Sequence, residues 1–297
     1  MISLRSVLTP LNLTSVRALE AFTQVPDSNV RRQAARALLM FHHQRLGGLG
    51  GHVGIPIGDV RPVGNTWIRP YTGGLIELMD FTDGPQGFRR HRAEVRFVGF
   101  RCGAQSESSP DNPYFIVTVQ GSNGEENVIK TYGPADEETI EVGDNVFLEA
   151  LVSSTAQPPV TISITAMEHD DGSPAEASAK IEKQLNAAAA KITLLLPILG
   201  ANPVIGATIQ SVLNITGGAI GDAAAALFGM GDDLIGTNAI HAFGYDQHID
   251  KWQTPEPKTH ADFPRPFNFR VVLDNGESGA YDAFFQVDLF KDIVEKV

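Results

Sequence analysis

The chain has 297 residues, which is enough for one large domain or two smaller ones with a full hydrophobic core. Its formal net charge of −12 argues against nucleic acid as a partner, because neutralising phosphates requires clustered Lys and Arg. The single cysteine, Cys102, excludes an internal disulfide, and we expect a buried, inert thiol. Arg5, Arg17 and Glu20 interrupt the first apolar residues, so no classical signal peptide is predicted. The protein is therefore expected to be cytoplasmic or exported by a non-classical route.

Residues 1–46 are predicted to form N-terminal helices. The second of these begins at Asp27 or Ser28, and its apolar residues recur at helical spacing: Val30, Ala34, Leu38 and Phe41. A basic cluster on the opposite face contains Arg31, Arg32 and Arg36. We interpret this cluster as a solvated helix face in preference to a phosphate site.

Residues 47–90 are predicted to form a separate module of turns and short strands, because Gly and Pro are frequent and helical periodicity is missing. The segments "VGIP" (53–56) and "YTGGLIE" (71–77), with a turn between them, resemble an LGFP repeat of actinobacterial cell-wall-associated proteins over residues 46–84. The resemblance implies contact with a glycan or envelope polymer, with Trp67 and Tyr71 as stacking candidates. The alternative is a packing appendage in which both aromatic residues belong to the core.

Strand patterns occupy the chain from Glu94 onward. Eight segments are rich in β-branched and aromatic residues, mostly alternate, and are bounded by turn residues: "EVRFVGFR", "YFIVTVQ", "NVIKTY", "NVFLEALV", "VTISITAM", "LIGTNAIHAF", "FNFRVVL" and "YDAFFQVDL". The turns "SNG" (122–124) and "DNG" (274–276) predict two hairpins. No helix alternates with these strands, so residues 91–297 are predicted to form an antiparallel β-sandwich.

A helical insertion over residues 173–229 is predicted between the fifth and sixth of these strands. Ser173, Pro174 and Glu176 match an N-cap, a first-turn proline and the acid of a capping box. Residues 192–221 contain no charged residue, and the stretch is long enough to span a bilayer. Pro and Gly residues divide it into short pieces, so a simple spanning helix is not predicted. The predicted fold class is therefore α+β: an eight-stranded antiparallel sandwich with a helical insertion, preceded by N-terminal helices and a short Gly/Pro-rich module.

Acidic residues flank this insertion. Glu168 and Asp170 follow one strand, while Asp232 and Asp233 open the next. A third loop before another strand contributes two more acids, Glu107 and Asp111. Calcium requires several carboxylate and carbonyl oxygens that converge from loops on a rigid scaffold. These six residues are the predicted metal ligands, and calcium is the predicted cofactor; the alternative is that the acids cap helices and solvate a loop.

Three segments resemble the calcium-dependent phospholipid-binding module of synaptotagmins and conventional protein kinases C, called the C-two domain: "PDNPYFIVTV" (110–119), "ITAMEHD" (164–170) and "DDLIGTNAI" (232–240). The resemblance covers about residues 94–290. It implies ligand roles for Glu168, Asp170 and Asp233 and contact with membrane lipid. Asn112 stands where the family has an acid, with Asp111 displaced by one position, and the insertion is much longer than the family's loop.

The leading functional hypothesis is calcium-modulated peripheral binding to a membrane or cell-envelope surface, without enzymatic activity. One alternative is a pore-forming or toxin-like protein that uses the apolar insertion, which could also mediate homo-oligomer formation. A second alternative is a cell-wall glycan-binding module. His169 with Asp170, or His241 with His248, could form an acid/base pair, but no set of nucleophile, base and orienting group can be assembled.

Overall fold

The structure is a computed structural model that describes residues 28–51, 53–63, 66–78, 87–106, 110–121, 128–133, 140–169, 174–184, 186–187, 218, 222, 233–246, 251–274, 276 and 279–296. The chain divides into two compact units. The first unit contains the described residues up to His91 and the end of the last strand from Lys291. The second unit contains the described residues from Arg92 to Phe290. The predicted helices within residues 1–27 lie outside the described residues.

The described elements include one long helix, a 3₁₀ turn and a series of strands. The helix α1 spans Ser28–Arg45, and the 3₁₀ turn spans Gly48–Gly50. The strands are β1 (Arg61–Val63), β2 (Thr66–Tyr71), β3 (Gly74–Leu78), β4 (Gly87–Ala104), β5 (Pro113–Gln120), β6 (Val128–Tyr132), β7 (Asn145–Ala156), β8 (Thr161–Glu168), β9 (Asp233–His241), β10 (Gly244–Asp246), β11 (Lys251–Gln253), β12 (Lys258–His260), β13 (Phe263–Phe267), β14 (Phe269–Asp274) and β15 (Ala280–Lys296).

The first unit packs α1 against a small antiparallel sheet. Strands β1, β2 and β3 pair in chain order, and β3 pairs with the first residues of β4. The apolar side of α1, which includes Ala35 and Leu38, is buried in a cluster with residues of β2 and β3. The helix ends where Gly47 adopts the left-handed conformation (φ 96°), as is common just after a helix C-terminus. The described helix begins at Ser28, one of the two positions that the sequence pattern offered, and short strands follow it within residues 61–78.

The second unit contains two antiparallel sheets with a shared aromatic core. One sheet has the strand order β7-β4-β15-β14, and the other has the order β6-β5-β8-β9. Phe97 and Phe100 on β4 and Tyr281 on β15 contact the ring of Phe115 on β5, with centroid distances of 4.3–5.9 Å. These contacts join the inner faces of the two sheets, so the unit is sandwich-like. All eight predicted strand segments lie in or overlap strands of these sheets, and Gly276 (φ 79°) lies in the turn predicted between β14 and β15.

A hairpin that the sequence patterns did not indicate covers the outer face of the first sheet. Strands β12 and β13 pair antiparallel. Phe263 and Phe267 of β13 are buried in a cluster with Val98 of β4 and Phe284 of β15. The rings of Phe263 and Phe284 stack with centroids 3.8 Å apart. This packing explains why aromatic residues alternate with prolines in the segment "FPRPF".

Strand β7 lies at one edge of its sheet and is irregular. Its pairing with β4 shifts register at three places, and Glu149 in its middle has a positive φ of 47°. Lys130 on β6 donates a hydrogen bond from Nζ to the backbone carbonyl of Leu151, at 2.6 Å. The edge of β7 is therefore bulged and has one of its carbonyl groups occupied by a lysine.

The insertion between β8 and β9 begins with a helix that we call the insertion helix, residues 174–184 and 186–187. Ala177 and Ile181 are buried, one helical turn apart, against Tyr114, Ile116 and Met167 of β5 and β8. The hydroxyl groups of Ser178 and Thr131 are hydrogen-bonded at 2.6 Å. Residues 218 and 222 are also helical, while the rest of the predicted insertion lies outside the described residues. No helix within the described part of the chain is long and apolar enough to span a membrane.

Candidate functional site

Three strand ends meet at the base of the insertion. Pro113 at the start of β5 is paired with Glu168 at the end of β8, and Glu168 is paired on its other side with Asp233 at the start of β9. The observed register therefore places these three strand ends side by side. A register shift between Ala166 and Met167 separates this pair of acids from the regular part of the ladder.

Glu168 fixes the loop before β5 to the end of β8. Its carboxylate is buried, and both oxygens accept the backbone N–H of Asn112, at 2.9 and 3.1 Å. The carbonyl of Asn112 in turn accepts the N–H of His169 at 3.2 Å. These bonds hold the loop before β5 against the last residues of β8.

Asp111 lies at the same end of the unit but is part of a buried network. The Ser106 N–H donates to both carboxylate oxygens at 3.0 Å, the Ser106 hydroxyl donates at 2.9 Å, and the Tyr281 hydroxyl donates at 2.6 Å. Three donor groups therefore reach the carboxylate, and the Ser106 N–H is shared between its two oxygens. Burial raises the pKa of Tyr281 far above its usual value, and the hydrogen bond to Asp111 raises it further. This arrangement makes Asp111 a structural residue that holds the loop after β4 to β15.

The same network extends to Cys102 on β4. Its side chain is fully buried, as the sequence predicted. Burial is the main reason that the pKa of the thiol is raised, and the nearby carboxylate of Asp111 adds to the effect. The thiol is therefore held in its neutral, unreactive form.

Asp233 is the exposed member of the group. It is paired with Glu168 in the ladder, and its side chain is exposed to solvent. Three other predicted ligands, Glu107, Asp170 and Asp232, lie outside the described residues. Among the residues that the structure describes, no group of three or more His, Cys, Asp or Glu side chains is arranged to hold a metal ion.

Tyr114 connects this end of the sandwich to the insertion helix. Its hydroxyl donates to the sulfur of Met167 at 3.4 Å, and its ring contacts the ring of His169 edge-on at a centroid distance of 6.0 Å. The same ring packs in the cluster that buries Ala177 and Ile181. The strand ends and the docked helix therefore share one buried side chain.

The two aromatic residues predicted to stack on a glycan belong to the first unit. Tyr71 is fully buried beneath α1, and its ring lies 4.6 Å from that of His43. Burial raises the pKa of its hydroxyl to about 12. Trp67 is partly buried against the same core cluster. Tyr71 would have to leave the core before its ring could contact a sugar.

Sequence reasoning did not identify the residues that organise this end of the second unit. Ser106 and Tyr281 both bind Asp111, but Tyr281 is 170 positions away in the chain and lies in an ordinary alternating strand. His241, one of the histidines considered for acid/base chemistry, is hydrogen-bonded through Nδ1 to the hydroxyl of Thr161 at 3.2 Å, and its partner in that scheme, His248, lies outside the described residues.

Comparison with known proteins adds no relative to this description. No protein-family model matches the chain, and no curated protein shows significant similarity to it.

Proposed function

We propose that the chain is a non-enzymatic binding protein whose second unit makes a calcium-modulated contact with a membrane or cell-envelope surface. The observation that carries this proposal is the pairing of Glu168 with Asp233 where β5, β8 and β9 terminate together. In this proposal the two sheets form an eight-stranded sandwich similar to a C-two domain, with the cation at the end where the insertion begins.

The proposed calcium ligands are the acids at the end of β8 and the start of β9, without Asp111. Asp233 is exposed beside Glu168, and the chain adds Asp170 two residues after Glu168 and Asp232 directly before Asp233. Carboxylates from two adjacent strand termini are the hard oxygen ligands that calcium prefers. Asp111 is left out, because its buried carboxylate already accepts hydrogen bonds from Ser106 and Tyr281.

The proposed role of the cation is to change the sign of the local charge. Without it, the clustered carboxylates repel an anionic surface. A bound divalent ion is the largest charge in such a site, and it can bridge the carboxylates to anionic headgroups. An incomplete ligand set predicts weak binding, with a dissociation constant on the order of 10⁻⁴ M or higher, as in extracellular calcium modules.

The docked insertion helix favours surface contact over membrane insertion for this part of the chain. Its apolar residues Ala177 and Ile181 are already buried on the sheet, and Lys180, Glu182 and Lys183 are exposed. A helix that has satisfied its apolar side in this way gains little from entering lipid.

Calcium titration by calorimetry on the full chain tests the proposal. The wild-type protein is expected to give saturable heat in the millimolar range, and the Asp170→Asn/Asp233→Asn variant is expected to give none. A control variant that removes two negative charges elsewhere, Glu256→Gln/Asp262→Asn, is expected to behave as the wild type. Wild-type protein that gives no heat at millimolar calcium, or equal heats from the wild type and the ligand variant, would refute the cation site.

A further inference from the structure

Helix α1 of the first unit carries a surface feature that is separate from the proposed cation site. Arg32, Arg36 and Met40 are each exposed and follow one another at intervals of four residues, so they form one stripe along the helix; we call this the basic stripe. Met40 has 37 % of its surface exposed. The opposite side of α1 is buried in the core of the first unit, so the stripe faces solvent.

Within the part of the chain that the structure describes, the arginines of the basic stripe have no ion-pair partner. Helix α1 contains four arginines and no acidic residue. Within the described residues, no carboxylate lies at ion-pair distance from Arg32 or Arg36. Like charges one turn apart destabilise a helix. Two uncompensated arginines in a chain with an excess of acids indicate a surface that meets an external anion.

Basic charge is concentrated around this helix. Residues 28–91 contain eight arginines, no lysine and four acidic residues, whereas the whole chain has a net charge of −12. The remainder of the chain is therefore more acidic than the total suggests. Such an asymmetry is typical of proteins that bind anionic surfaces through one region. It also orients the protein, because an anionic surface attracts the basic region and repels the rest.

We propose that the basic stripe, which the sequence pattern alone favoured as a solvated helix face, binds the phosphate groups of anionic lipid headgroups. A guanidinium group is planar and can donate two parallel hydrogen bonds to a phosphate, which suits Arg32 and Arg36 to this contact. Met40 extends the stripe with an exposed apolar side chain that can enter the headgroup region, and a combination of basic and apolar residues is the pattern of helices that lie on membranes. This contact would supply a calcium-independent component of binding; it rests on the membrane alternative of the proposed function.

The competing occupant is an acidic face of a second copy of the chain. It would satisfy the two arginines by charge alone, since the rest of the chain is strongly acidic. It would not account for the exposure of Met40 in line with them. We therefore favour lipid, and self-association becomes an outcome of the test.

The test is co-sedimentation of the full chain with vesicles in the presence of a chelator. Vesicles of phosphatidylcholine alone are compared with vesicles that also contain phosphatidylglycerol, at low and high salt. The proteins are the wild type, Arg32→Gln/Arg36→Gln, and the matched control Lys258→Gln/Arg265→Gln, which removes the same charge from exposed residues of the second unit. Circular dichroism checks that all three are folded.

The wild type and the control are expected to bind the anionic vesicles only and to dissociate at high salt. The double variant is expected to bind roughly 25-fold more weakly, at about fivefold for each arginine. Equal binding by the double variant, or no wild-type binding to anionic vesicles in chelator, would overturn the proposal. Self-association at low salt that the double variant loses, without vesicle binding, would assign the stripe to a second copy instead. Because the chelator removes any calcium effect, failure here is distinguishable from failure of the cation site.

Discussion

Replacement of Asp111 by asparagine separates a structural role from a ligand role for this residue. The substitution keeps the shape of the side chain, but it removes the charge and turns one acceptor into an amide donor that faces either Ser106 or Tyr281. Hydrogen bonds to charged groups contribute about 1.5–3 kcal/mol each to stability. Loss of one or two of them predicts a decrease of about 2–4 kcal/mol in the free energy of unfolding.

Tyr281→Phe provides the second corner of a double-mutant cycle. It removes only the 2.6 Å hydrogen bond to Asp111 and is expected to cost about 1.5–3 kcal/mol. Since the two residues share this bond, the double variant should lose about 1–2 kcal/mol less than the sum of the single losses.

The assay is urea unfolding followed by tryptophan fluorescence. Trp252 is buried in the second unit, and Trp67 belongs to the first, so a Trp67→Phe background makes the signal report on the unit of interest. If Asp111→Asn unfolded at the wild-type urea concentration and instead weakened calcium binding, the structural assignment of Asp111 would be wrong.

Two further changes test the first unit and the insertion. Burial lowers the pKa of His42 and of His43 to about 4 from the usual 6.5. Between these two values the unfolded state binds protons that the folded state does not. The free energy of unfolding should therefore fall as the pH decreases from 6.5 to 4, by about 2 kcal/mol per histidine at pH 5. Ile181→Ala should release the insertion helix and speed tryptic cleavage at its exposed lysines by more than tenfold, because a buried isoleucine contributes about 2–5 kcal/mol. Glu182→Ala, at an exposed position, is the control.

Each of these outcomes has a clear contradiction. Unfolding of the first unit at the same urea concentration at pH 7 and pH 5 would show that the two histidines do not remain neutral in the folded protein. Equal cleavage rates for the two helix variants would show that Ile181 does not hold the insertion helix on the sheet.

The strands of the second unit were predictable because their signals are local. Alternating β-branched and aromatic residues mark where the strands lie, although β4 and β15 extend well beyond the predicted segments. Asp274 and Gly276 mark the hairpin before β15, where Gly276 donates its N–H to the Asp274 side chain. The helix start at Ser28 was equally local. In each case, a few neighbouring residues are enough to determine the conformation.

The features that the sequence did not reveal depend on partners far away in the chain. The prolines of "FPRPF" argue against a strand, but Phe263 and Phe267 become buried against Phe284, and this packing outweighs the local signal. Asp111 has the sequence context of a loop ligand, yet its hydrogen-bond donor Tyr281 comes from the last strand. A sequence pattern shows where a carboxylate is in the chain, but it does not show which distant groups donate hydrogen bonds to that carboxylate in the folded protein.

The irregular edge of β7 has a consequence for how the protein behaves at high concentration. A flat, unpaired strand edge offers backbone groups to the strands of other molecules and promotes aggregation. Here the register shifts and the positive φ of Glu149 break the regular spacing of those groups, and Lys130 occupies the carbonyl of Leu151. A strand from another molecule would have to displace this lysine and straighten the bulges before it could extend the sheet. The edge therefore protects the protein from forming continuous intermolecular sheets, although Phe147 and Leu151 leave apolar surface exposed there.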